Sequence, residues 1–295
     1  MTTLQPPEPP ADLYLQPRWT QKFRRSLVGL SLAREKCWLL TWDDAGTMHL
    51  LDRNGQRQGQ VALDGLTMAA SADDGSAFAA ASPTGNVWYL TPDLRVRWQR
   101  VAETGVRSLA IEPFGSHVAV STSKGALRLF DGSGQTLWTA STPRPLLHLA
   151  FVPAKPLLVG AADFGLVIAV DPSGNTVWRD GVVTNIGSLA VNGDGSGIVL
   201  SCFGQGLIRY GADGAGREQV GATQSFRYVC CSFAGDRLAV TNLHDQVMLL
   251  DRQGQVLTSY SCDQPITALA ISALGDEVVS ALADGTLTTL KVSQR

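Results

Sequence analysis

The sequence predicts an all-β chain built as a closed ring of seven small, four-stranded antiparallel sheets. Three observations lead there. A unit of about 40 residues recurs along the 295-residue chain, marked by three glycine series: Gly75, Gly115, Gly195, Gly235 and Gly275; Gly134, Gly174, Gly214 and Gly254; Gly85, Gly125, Gly165 and Gly285. Each unit holds short runs dense in Val, Leu, Ile and Ala, cut by turn residues. The last unit lacks its final run, and a run of the missing kind stands ahead of the first. A period of this size means stacked sheets, none of which buries its faces alone.

Residues 106–145 show one unit in full. RSLAI, HVAVS, ALRLF and QTLW are β-like runs, called strands a to d, and PFG, SKG and DGSG separate them. Strand a returns as HLAF at 148–151, SLAV at 188–191, YVCC at 228–231 and ALAI at 268–271. Strand b returns as LLVGA, GIVLS, RLAVT and EVVSA. Such unbroken apolar runs suit strands buried on both faces, whereas strand d is more polar, as an outer strand should be. Asp74-Gly75, Asp194-Gly195 and Asp284-Gly285 are hairpin signals, because the turn needs positive φ.

Units start near residues 29, 66, 106, 146, 186, 226 and 266, which makes seven. QPRWTQKFRR at 16–25 matches VRWQRV at 96–101, with Trp19 in register with Trp98, Trp138 and Trp178. Residues 17–25 are therefore expected to supply strand d of the seventh sheet, closing the ring and removing its open edges. Residues 1–16, rich in Pro, are expected to be a disordered tail, and 17–295 a single domain.

The pattern resembles a seven-bladed β-propeller of four-stranded antiparallel blades, of the WD40-repeat-like and quinoprotein-like kind. LFDGSGQTLW at 129–138 and AVDPSGNTVW at 169–178 resemble the D-x-x-G-x-x-x-W motif of quinoprotein-like blades. SALADGTLTTLKV at 280–292 resembles the b–c hairpin of WD40 repeats, although Phe130-Asp131, Val170-Asp171 and Leu250-Asp251 stand where those carry Trp-Asp. The fifth unit, around FGQGLIRYGADGAG, has lost both Asp and Trp. The resemblance implies a scaffold for protein interaction. It also raises quinone-dependent catalysis, for which no set of ligands is recognisable.

Composition narrows the function further. A net charge of −2 gives no pull toward nucleic acid or membrane. Charged residues are 17%, against about 25% in an average soluble domain, which suits stacked buried sheets. The first residues lack the basic and apolar regions of a secretory signal. Cys37, Cys202, Cys230, Cys231 and Cys262 are odd in number and irregular in spacing, so reduced thiols are expected, in the cytoplasm. The four histidines have no zinc spacing. NGDGSG at 192–197 opens like a calcium loop, but Phe203 stands where its Glu should be. No phosphate loop or G-x-S-x-G elbow occurs. No cofactor, metal or catalytic residue is expected.

In such a ring the d–a and b–c loops share one face, and loops carry function. Arg107, Arg144, Arg227 and Phe226 fall at d–a loops, and Lys124, Phe164, Phe203 and His244 at b–c loops. Arginine and aromatic residues dominate interface hot spots. These eight are the expected partner-binding residues, and the expected partner is a protein with an acidic or phosphorylated segment. The chain is read as a non-catalytic subunit of a larger complex, monomeric on its own. The alternative is a small molecule or an enzymatic site in the central channel, near the polar strand-a positions Ser108, His148, Ser188 and Tyr228.

Overall fold

Turns that demand a left-handed residue cut the chain into hairpins of nearly equal length. Gly115 between strands a and b (φ 74°) and Gly134 between c and d (φ 82°) show the requirement. The c–d turn is also held by its aspartate. Asp131 Oδ1 accepts the backbone N–H of Ser133 (2.8 Å) and of Gln135 (2.9 Å). Asp52, Asp171 and Asp251 repeat the arrangement.

The structure is a computed structural model and describes residues 13–102, 105–153, 155–221 and 224–294. Among them, 28 strands form seven four-stranded antiparallel sheets, a seven-bladed β-propeller. Strand a of the seven blades is Leu27–Ala33, Met68–Ser71, Val106–Ile111, Leu146–Val152, Ile186–Val191, Phe226–Cys231 and Ile266–Ile271. The first two begin two residues away from the expected 29 and 66. Within blades 1 to 6 the sheet order follows the chain. Blade 7 takes strands a to c from Ile266–Ile271, Glu277–Leu282 and Thr286–Gln294, and strand d from Leu13–Lys22.

Strand d of blade 7 thus lies nearer the N-terminus than the expected 17–25. Residues 13–16, assigned to the tail, belong to it because Leu15 is buried against blade 6. Pro17 falls at an irregularity before Trp19, where the lost N–H breaks no regular ladder. The rest of the expected tail, residues 1–12, lies outside the described residues.

Burial follows position in the blade. Strands b and c are buried almost throughout, as in Gly197–Cys202 and Leu166–Val170, whereas strand d alternates with solvent, as in Thr176–Gly181. Strands a of successive blades pack side by side around a central channel.

Tryptophan joins neighbouring blades. Trp98 Nε1 donates to Gly132 O of the next c–d turn (3.1 Å), Trp138 to Pro172 O (2.7 Å) and Trp178 to Ala212 O (3.2 Å). Each indole lies on a turn glycine, Gly134, Gly174 or Gly214, where a Cβ would collide. Trp19 does the same across the closure, on Gly55 and Arg53 O (3.0 Å). Glu277 of blade 7 adds a clamp, pairing with Arg18 of the N-terminal strand and with Arg53 of blade 1 (3.2 Å).

Candidate interaction face

A β-bulge decides which residues reach the face formed by the d–a and b–c loops. At the second residue of strand a the register shifts in blades 1, 3, 4, 5, 6 and 7. The unpaired residue turns outward, as bulged residues do. Arg107 and Arg227 occupy that position and are exposed. Phe226 precedes the bulge and is 1% exposed, packed on Val199, Leu207 and Val240 between blades 5 and 6. The expectation that Phe226 contacts a partner is therefore corrected. It opens strand a as Val106, Leu146, Ile186 and Ile266 do, all buried. That apolar series was the signal in the sequence.

The remaining expected residues divide into groups. Arg107 and Arg144 line one cavity of about 550 Å³ with Ser123, Pro145, Asp163 and Phe164. Arg144 is positioned twice: Nη1 donates to Asp163 O (3.3 Å), and the guanidinium lies 5.5 Å from the Phe164 ring centre. Lys124 is exposed on blade 3 outside this cavity. Arg227 and His244 belong to blade 6. Arg227 Nη1 reaches Ile266 O (3.4 Å), and the His244 backbone N–H is held by Asn242 Oδ1 (2.9 Å). Of the expected residues, Arg107, Arg144 and Phe164 share one cavity, and Arg227 and His244 lie two blades further on.

Phe164 stands apart energetically. It is 74% exposed and has φ 57°, in the left-handed region, next to Gly165 at φ 80°. A left-handed non-glycine residue costs roughly 1–2 kcal/mol. Phe164 therefore bears strain without the compensation of burial. Further apolar side chains continue from it around the ring: Val183 is 89% exposed, Phe203 39% and Leu243 55%. Val183 escaped the sequence reading because it is neither aromatic nor in a conspicuous turn.

The channel is pinned at its other mouth. Arg34 of blade 1 holds Asp73 of blade 2 through Nε–Oδ1 (3.0 Å) and Nη2–Oδ2 (2.5 Å), and its Nη1 approaches Val191 O of blade 5 (3.5 Å). The cavity there measures about 290 Å³. Two of the polar strand-a residues serve contacts between blades. Ser108 Oγ donates to Leu146 O (2.7 Å), and Ser188 Oγ accepts from Val229 N (2.7 Å). Burial lowers the pKa of His148, which lies against the Ile186 backbone.

A further cavity of about 360 Å³ opens between blades 3 and 4 near the a–b turns. Several of those turns are bonded in sequence around the ring, as Asp73 N to Pro113 O (2.8 Å) and Phe233 N to Ala273 O (2.8 Å). Pro113 and Pro153 have no N–H to continue the series.

The cysteines are unbonded. Burial pushes the thiols of Cys202, Cys230 and Cys231 up to about 12 and Cys262 to about 11, so none of these four is a ready nucleophile. Among the described residues no group of three or more His, Cys, Asp or Glu side chains is placed to hold a metal. None of their helices is long and apolar enough to cross a membrane. Compared with protein-family models and with curated proteins, the chain matches none.

Proposed function

We propose that the chain is a non-catalytic interaction platform that holds a protein partner on its d–a and b–c loop face, as a subunit of a larger assembly. The observation that carries this reading is Phe164, strained and exposed beside Arg144. Residues that cost stability without packing in return mark places where binding supplies the compensation. The resemblance of its turns to WD40-like and quinoprotein-like repeats supports the same role. The unbonded thiols suit a reducing compartment, and we place the platform in the cytoplasm.

Affinity capture from native lysate, comparing the wild-type chain with Phe164→Gly and Arg144→Ala, tests the reading. A stoichiometric protein partner should be retained by the wild type and lost by both variants. Retention of the same partners by folded variants removes this face from the reading. The channel cavity behind Arg34 supports a second reading, a small-molecule site. Native mass spectrometry showing a non-covalent adduct on the chain without a protein partner would favour it.

A further inference from the structure

We propose that the occupant of this face is a protein segment with two features in series: an anionic side chain, phosphorylated or carboxylate, seated between Arg107 and Arg144, and apolar residues lying over Phe164, Val183 and Phe203. This rests on reading the face as a docking surface and specifies what docks there.

The arginines carry the anionic half. Several arginines of the ring are committed to carboxylates: Arg34 to Asp73, Arg18 and Arg53 to Glu277, Arg209 to Glu218, Arg217 to Asp180. Arg107 and Arg144 make no ion pair with a described carboxylate, yet line the same cavity. Arg107 is aimed there by its bulge, and Arg144 by Phe164 and the Asp163 carbonyl. Two oriented guanidinium forks match the oxygens of a phosphate or carboxylate.

The apolar half follows from the arc beyond. Phe164 of blade 4, Val183 of the loop into blade 5, and Phe203 of blade 5 lie in succession on the same face. A segment crossing them starts in a basic sector and continues over an apolar one. A lipid surface fits less well. The anion site is a concave cavity of about 550 Å³, and the net charge of −2 lacks the polybasic cluster that holds proteins to anionic bilayers. Asp163 also lines the cavity. Its carboxylate opposes an anionic occupant and weakens the site.

The test uses the full chain and three degenerate peptide pools with fixed apolar positions, identical but for a central serine, phosphoserine or glutamate. Fluorescence anisotropy reads binding, and vesicles of phosphatidylcholine with phosphatidylserine serve as the lipid arm. The phosphoserine or glutamate pool, or both, should bind more than roughly tenfold better than the serine pool, and the stronger pool identifies the anion. Arg107→Glu and Arg144→Glu should remove that preference. Arg144→Lys, which keeps the charge but not the fork, should lose most of it. Asp163→Asn should tighten binding roughly two- to fivefold, a gain that misfolding cannot mimic.

Equal binding of the three pools, no binding by any, or binding to vesicles alone overturns the proposal. So does an anionic preference that survives both arginine reversals. In each case the lysate capture lost on Phe164→Gly stands or falls separately, so the platform reading is judged by its own result.

Discussion

At Phe164 stability and binding are set against each other in a single residue. Glycine there relieves a left-handed strain of roughly 1–2 kcal/mol and gives part of it back as greater freedom of the unfolded chain. Phe164→Gly should leave the urea midpoint unchanged or raise it by up to about 1 kcal/mol in stability while abolishing partner capture. A clear loss of stability would mean that the ring packs more firmly than its exposure indicates. Single residues also show where sequence reading stops. Trp19 was legible as part of a strand d, since its register with Trp98 and Trp138 survives across the whole chain. The bulge that turns Arg227 outward beside the buried Phe226 was hidden, because a bulge leaves no fixed mark in the sequence, and only the apolar residues that open the other strands a pointed to the burial of Phe226. The convergence of Arg107 with Arg144 was also hidden, as both depend on loop geometry.

Between blades the same joint is made three ways. Four junctions use Trp on a turn glycine. At the junction of blades 1 and 2 the sizes are exchanged: Gly59 occupies the Trp position, and Leu94 (φ 62°), 4% exposed, fills the space from the turn. At the junction of blades 5 and 6 the Trp position holds Glu218, paired with Arg209 (2.9 Å), and Arg209 Nη2 donates to Arg252 O (2.5 Å), the equivalent of the oxygen that Trp meets elsewhere. The fifth blade has thus replaced its lost Trp with a donor from strand c. Its unit looked degenerate in the sequence because the substitute comes from another strand. Exchanged sizes predict strong coupling. Gly59→Trp alone should destabilise by roughly 1–3 kcal/mol through overpacking on Leu94, and Gly59→Trp with Leu94→Gly should recover most of it. Additive losses in the double-mutant cycle would refute the exchange. Gly174→Ala forces a Cβ against Trp138 at φ 84° and should cost about 2 kcal/mol in chemical denaturation.

Over the whole molecule, acid should act in two stages. Burial lowers His148 and His49 below the ordinary 6.5, so their contribution is complete above pH 6.5 and is lost as pH falls through their lower folded values. Asp131, bonded by the Ser133 side chain, and Asp171, bonded by the Asn175 backbone, are held below 3.8. They contribute fully above pH 3.8 and lose that contribution as pH falls through the folded values. Urea midpoints measured against pH should show both declines, and His148→Gln should shrink the upper one. Closure was the most legible global feature, since a missing last strand and a surplus first one can be counted. Trp19→Ala should cost roughly 2–3 kcal/mol there, and Glu277→Gln should lower the melting temperature by unpairing Arg18 and Arg53. The blade completed by Leu13–Lys22 also imposes an order in time. At about 5–20 residues per second the ribosome needs some tens of seconds to reach Thr286–Gln294 after making the strand that pairs with it. Throughout that interval Leu15 and Trp19 wait without their blade, and six sheets can form before the seventh has an outer strand. The nascent ring is therefore exposed to wrong pairing at Leu13–Lys22 for as long as that strand waits, and closes only when Thr286–Gln294 emerges.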